Sequence, residues 1–339
     1  MAKSKKIALV FSDLHLNLWA KFNDEKKRTL DGFKVLSLIA EKSNTLGIPA
    51  LFCGDLFHKP ENMDFDISLY MKRWLDEAYM KWPRCKIFAI QGNHDLKYTN
   101  SLNPKDPMDR SKLTNGWIDT LENNIRGNHS TFVVLSPNTP PAIIGNREIM
   151  VHGVPYIDHN VGLNEYLKTL HLQKYYQHLL LLHTDYPGAK DTDDRPVDSV
   201  ENLNLNVLNR FDLVLCGHIH KPQRLSKKVY MIGAPIQQRR TDKDCEMGYW
   251  ELYSDLSMKF IPLKGFPKFI DVESQDQVKD DGNYYTILPQ TSRIEVVSNH
   301  KITKQLSKKK LAHRYLRAKG IKDKAKENLL VQILKESEE

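Results

Sequence analysis

Within the first 95 residues, apolar runs of strand length alternate with stretches of helical period, and few folds accept that order. Lys6–Ser12 is a short apolar run of buried-strand type. From about Lys26 to Asn44, Leu30, Phe33, Leu36, Ile39 and Ala40 recur at helical spacing, and Gly47 ends the segment. Ile48–Cys53 reads as a second strand, Met63–Met80 as a second helix and Lys86–Ile90 as a third strand. This β-α-β-α-β order predicts parallel strands joined by helical crossovers.

The pattern then loosens. Asn100–Ser111, polar and carrying Pro104 and Pro107, reads as a surface loop, and Thr131–Val151 as short strands around the turn-rich Ser136–Pro141. A helix is expected over Asn164–Tyr176, a buried strand over Leu179–Leu182 and a loop over Asp185–Asp198. Leu213–Cys216, Val229–Ile232, Gly248–Tyr253 and Met258–Ile261 follow as strands with little between them, which predicts a second sheet packed on the first. The aromatic pairs Tyr175-Tyr176 and Tyr249-Trp250 are expected to pack into the core.

A chain of 339 residues has room for one large domain and a smaller module. Its net charge of +8 is uneven: Lys301–Glu339 holds 12 Lys or Arg against 5 Asp or Glu, leaving about +1 for everything upstream. Cys53, Cys85, Cys216 and Cys245 form no CxxC pair, and two of them lie in apolar runs, so free buried thiols and a reducing compartment are expected. The basic start is followed only by Ile7–Phe11, too short for a leader, and no stretch is long enough to span a bilayer. The expected location is the cytoplasm, with no membrane partner.

Chemistry enters through five short motifs, each just after an apolar strand: Asp13-Leu14-His15, Gly54-Asp55, Gly92-Asn93-His94-Asp95, His183, and Gly217-His218-Ile219-His220. In open α/β sheets the carboxyl ends of the strands converge on one crevice, so residues far apart in sequence can share a site. Phosphoester hydrolysis needs charge neutralisation on the phosphoryl oxygens and a nucleophile at neutral pH, and two cations supply both. Mixed imidazole, carboxylate and amide donors suit manganese, iron or zinc better than magnesium or calcium.

The ordered series D-x-H, G-D, G-N-H-D, H, G-H-x-H resembles the calcineurin-like metallophosphoesterases over residues 7 to about 262. The resemblance implies an α/β fold, a two-sheet α/β/β/α sandwich with a short C-terminal extension. It further implies Asp13, His15 and His220 as ligands of one metal, Asn93, His183 and His218 as ligands of a second, and Asp55 as the bridge. His94 corresponds to the family's non-ligand histidine, which protonates the leaving oxygen or stabilises the transition state, with Asp95 expected to orient it through its other ring nitrogen. Gly54-Asp55-Leu56-Phe57-His58 with Lys59-Pro60, His152-Gly153-Val154-Pro155-Tyr156, and Gly217–Gln223 followed by Gly233-Ala234-Pro235 are similar to the SbcD branch of DNA-repair nucleases. By that analogy His58 places the DNA strand.

His152 also follows a strand and rivals His183, but its place in the G-x-P-Y segment favours a structural or supporting role. The implied division is a nuclease domain over 1–264, a short capping or linker segment over 265–300, and a basic helical tail over 301–339. The tail carries Leu329, Leu330, Ile333 and Leu334 on one stripe. Two short amphipathic helices need a partner, and the resemblance implies the coiled coil of an SbcC-type ATPase, with DNA and a second copy of the chain as further partners and two manganese ions as cofactors. Two other readings stay open: a phosphatase or small-nucleotide phosphodiesterase on the same scaffold, and a binding subunit that keeps the fold without catalysis.

Overall fold

A computed structural model describes residues 4–288 apart from 60–63, 98–104, 107–112, 114–115, 123–130, 147, 159 and 198–202. The strands, in chain order, are β1 (Lys6–Phe11), β2 (Ala50–Phe52), β3 (Ile87–Ala89), β4 (Phe132–Val134), β5 (Ala142–Ile144), β6 (Ile149–Gly153) and β7 (Gln177–His183). They continue with β8 (Leu213–Gly217), β9 (Gln223–Arg224), β10 (Val229–Met231), β11 (Gly248–Tyr253), β12 (Met258–Pro262), β13 (Phe269–Val272) and β14 (Tyr284–Ile287). The helices are α1 (Lys27–Leu46), α2 (Phe65–Lys81), α3 (Asp119–Glu122), α4 (Asn160–Thr169) and α5 (Leu205–Leu208).

Two six-stranded mixed sheets form, in the orders β12-β11-β1-β2-β3-β4 and β5-β6-β7-β8-β10-β9. β1 to β4 are parallel, as are β6, β7, β8 and β10, while β11 pairs antiparallel with β1, β12 with β11, β5 with β6 and β9 with β10. The side-chain period of two explains the apolar runs. On β7, Leu179 and Leu181 enter the layer between the sheets with Ala8 and Val10 of β1. Leu180 and Leu182 point the other way, beneath Leu163 and Leu167 of α4 and Val207 and Leu208 of α5. On β1, Leu9 and Phe11 likewise face Phe33, Leu36 and Ile39 of α1 and Met71 and Trp74 of α2. Each such side chain gains roughly 1.5–3 kcal/mol on burial, so a strand apolar on both faces is stable only when both are covered. This is the expected α/β/β/α sandwich.

Local chemistry sets the element ends. Gly47 closes α1 in the left-handed region (φ 64°). The Asp64 side chain accepts from the Asp66 amide, which starts α2 just after the expected Met63, and Pro83 follows its last turn. Three expectations need correction. β11 and β12 do not join the second sheet but return to the first, beside β1. α4 ends at Thr169 rather than Tyr176, because the Arg210 guanidinium takes the carbonyls of Leu167, Lys168 and Leu170. Tyr175 therefore lies beyond the helix and is 96% exposed, not packed; Tyr249 and Trp250 are buried on β11.

Of the segment 265–300, residues up to 288 are described. They carry β13 and β14, a parallel pair in which Asp271 holds Arg240 at 2.6 Å and also pairs with Lys243. Most of the 100–111 loop and all of the 301–339 tail lie outside the described residues. Among the described residues the cysteines are free, with Cys53, Cys85 and Cys216 buried, and no helix is long and apolar enough to cross a membrane.

Candidate metal centre

All five motifs sit at the carboxyl ends of parallel strands, two sheets contributing to one cleft. Beyond β1 and β2 the chains stay side by side: the Asp13, His15 and Leu16 amides donate to the carbonyls of Gly54, Asp55 and Leu56 at 2.8–3.0 Å. To keep that ladder and turn their side chains inward, Asp13, His15 and Asp55 adopt φ of 51°, 48° and 60°, and His218 adopts 90°. Left-handed backbone at residues other than glycine is costly and collects at functional sites. The sheets also close tightly here. A Cβ on Gly217 would collide with the Cys53 carbonyl and the Ser12 hydroxyl, so only glycine lets β8 deliver His218.

Two clusters of donors include carboxylates, Asp13 with His15 and His220, and Asp55 with His183 and His218, and a third group, His15, His58 and His94, shares His15 with the first. His15 Nε2 and His220 Nε2 face each other at 3.1 Å. Asn93 Oδ1 lies 3.1 Å from both His183 Nε2 and His218 Nδ1. Asp55 stands between the clusters. Its Oδ1 accepts the His94 amide, and its Oδ2 is 3.3 Å from His183 Nε2 and 3.6 Å from His15 Nε2. Asp13 accepts the His218 amide on both carboxylate oxygens, at 3.1 Å each.

The outer ring nitrogens decide what the inner ones can do. His183 Nδ1 donates to the Cys53 carbonyl at 2.7 Å, and His220 Nδ1 donates to Asp242 at 3.1 Å. Each commitment leaves Nε2 as an inward lone pair. Lone pairs and carboxylate oxygens crowded at about 3 Å in a buried site repel unless a cation stands among them, so the donor set fits two divalent metals. Electrostatics agree. Burial alone would raise the Asp55 carboxyl, but His183 and His15 hold it well below the usual carboxylate range. Burial lowers His183, yet the Asp55 carboxylate outweighs it and lifts the ring to about 9, so a proton shared with Asp55 holds the Nε2 position, from which a cation would displace it. Burial takes His15 well below its ordinary value, keeping it a neutral donor.

Asp95 requires a correction. It does not reach the His94 ring. Its fully buried carboxylate accepts the amides of Asp55, Phe57 and Gly92 at 2.8–2.9 Å and so fixes the loop that presents Asp55. The His58 carbonyl accepts from His94 Nδ1 at 2.7 Å instead, leaving Nε2 for the cleft. The His58 ring lies parallel to that of His94, with centroids 5.3 Å apart and 7° between planes. His152 is elsewhere: its Nε2 meets His178 Nδ1 at 2.9 Å, and His178 Nε2 donates to the Gln173 carbonyl. The site also contains residues without a sequence signal. Asp242 is fully buried behind His220, Asp185 lies 3.3 Å from His218 Nε2, and Trp19 and Arg239 line the cleft of about 370 Å³.

A family model described as calcineurin-like phosphoesterase matches residues 8–222. No curated protein matches the chain. Two solved structures are similar in part. One crystal structure is 14% identical over 76% of this chain and 99% of its own, with a TM-score of 0.42. The other, of a hypothetical protein from Thermus thermophilus, is 15% identical over 67% of this chain and 75% of its own, with a TM-score of 0.33.

Proposed function

The chain belongs to the calcineurin-like phosphoesterases, whose chemistry is metal-dependent phosphoester hydrolysis, and from that membership we propose that it is an SbcD-type nuclease acting on DNA phosphodiesters. Asp13, His15 and His220 would hold one divalent cation, Asn93, His183 and His218 a second, and Asp55 would bridge them. Manganese is the ion the SbcD resemblance favours, and the mixed nitrogen and oxygen donors accept it as they do iron or zinc. When bound, the pair supplies charge neutralisation at the phosphoryl oxygens and acidifies water. The protein's own part is positional. His94 turns Nε2 into the cleft and gives its proton to the leaving oxygen as the P–O bond breaks. Asp95 keeps Asp55 aimed, and Asp242 keeps His220 aimed.

The DNA reading rests on the cleft, where His58 stands beside His94 and Arg239 lines the same cavity. An aromatic and cationic wall next to the leaving oxygen suits a nucleotide chain. The tail from about Lys301 would dock on the coiled coil of an SbcC-type ATPase. With Mn²⁺, DNA and bis-p-nitrophenyl phosphate should be hydrolysed and phosphomonoesters barely touched. His58→Ala should impair DNA cleavage more than cleavage of the small diester. Equal losses on both would remove the strand-placing role of His58, and efficient phosphate release from a monoester would favour a phosphatase.

A further inference from the structure

Trp19 belongs to no motif, yet it stands between the catalytic cleft and a half-buried cation. The Arg28 guanidinium lies over its indole ring, 3.8 Å from the centroid. Arg28 is itself fixed by donation to the carbonyls of Gln238 at 2.6 Å and Lys21 at 3.2 Å, with Phe269 and Tyr284 around it. The indole also meets the His58 ring, at 4.9 Å between centroids and 43° between planes. His58 in turn stacks on His94 and accepts its Nδ1 proton through the backbone carbonyl. Arg28, Trp19, His58 and His94 therefore form a continuous contact series that begins on α1 and ends at the reacting centre.

We propose that Trp19 is a positioning residue: clamped by Arg28, it fixes His58 and through it the imidazole that protonates the leaving oxygen. The proposal rests on the reading of His94 as proton donor. His94 has one ring nitrogen anchored, to the His58 carbonyl, and its ring is otherwise oriented by packing, at 83° to the His15 ring with centroids 4.8 Å apart and parallel to the His58 ring at 5.3 Å. Without the indole, His58 loses its backing wall and the segment that carries the anchoring carbonyl can shift. A displacement of an ångström at a proton donor is enough to cost a large factor in rate.

The consequence depends on the leaving group. In hydrolysis the water oxygen bonds to phosphorus and the P–O bond to the leaving group breaks, its electron pair going to the leaving oxygen. That oxygen takes the His94 proton, and the water's proton passes to solvent. An alkoxide of deoxyribose departs poorly without that proton; p-nitrophenolate departs readily unprotonated. A variant that misplaces His94 must therefore suffer on the first ester more than on the second, whereas a loosened fold or a depleted metal site slows both alike.

The test compares a thymidine oligonucleotide with thymidine 5′-(p-nitrophenyl) phosphate, under Mn²⁺, in wild type, Trp19→Leu, Trp19→Phe and His94→Gln, with metal content measured in each. Trp19→Leu should lose at least about ten-fold more in kcat on the oligonucleotide than on the aryl ester, with KM little changed and metals retained. Trp19→Phe, which keeps an aromatic wall, should recover most of that loss. His94→Gln should show the same split, larger. A split in His94→Gln with none in Trp19→Leu overturns the positioning role alone. No split in His94→Gln overturns the proton-donor reading and the role of Trp19 with it. A rise in KM on both esters in Trp19→Leu would make the indole a substrate contact, and loss of metal in that variant would make it a structural support; either result contradicts the proposal.

Discussion

Asp55 and His94 are adjacent in space but carry different loads, and single substitutions should separate them. Asp55 Oδ2 faces donors of both clusters, so Asp55→Ala should lose activity and metal at both positions. His94 donates its ring proton to a carbonyl, so His94→Gln should keep the metals while activity on DNA falls by roughly 10² or more. Metal analysis of the two purified variants checks the division; a metal-free His94→Gln would show that His94 is a ligand. Asp242 extends the argument to a residue outside every motif. Its carboxylate holds His220 and is kept below its ordinary value by that ring, against the opposing effect of burial. Asp242→Asn should weaken metal affinity by about 10-fold or more, the scale of a lost supporting carboxylate, and a metal titration with unchanged affinity would exclude that role. The ligand candidates were legible because each follows a strand directly. Asp242, Asp185 and Trp19 were not, since their partners come from distant parts of the chain and no local pattern announces them. Asp95 differs for another reason: the resemblance implied a bond to the His94 ring, but the turn points the carboxylate at the amides of Asp55, Phe57 and Gly92.

At the level of the elements, the period-two alternation within apolar strands explains why β7 and β1 need cover on both faces, and the helix-spaced residues of α1 announced that cover. Sheet membership was less legible, because nothing in β11 says that its hydrogen-bonding edge belongs to β1 rather than β10. The end of α4 was hidden too, since its cap is Arg210, some forty residues on. Two outcomes belong to this scale. Gly217→Ala should destabilise the fold by roughly 1–3 kcal/mol, because a methyl group has no room between β8 and the Cys53 carbonyl. An unchanged melting temperature would mean the sheets can separate freely at the cleft. The second concerns the buried His152–His178 pair on β6 and β7. Burial, aided by the neighbouring His178, takes His152 down to about 4. Its folded value is thus below the unfolded one, and between about pH 6.5 and 4 the unfolded chain binds more protons. Stability should therefore fall as pH drops through that window, by no more than about 3 kcal/mol from this group. His152→Gln should flatten the dependence; equal slopes in melting temperature against pH for both proteins would remove the pair as its cause.

Across the molecule, near-neutral residues up to about 300 carry the cleft and the basic tail lies far downstream in sequence. Deletion of 301–339 should then spare hydrolysis of a small diester while abolishing partner binding; a truncated chain that still copurifies with an SbcC-type ATPase would contradict docking through the tail. The central claim is that donors from five strand ends make one two-cation centre. Calorimetric titration of the metal-stripped protein with Mn²⁺, in wild type and Asp55→Ala, tests it most directly. Two ions per chain in wild type, with both sites weakened in Asp55→Ala, is the predicted result. A single ion per chain, or a variant that keeps one site at full affinity, would contradict it.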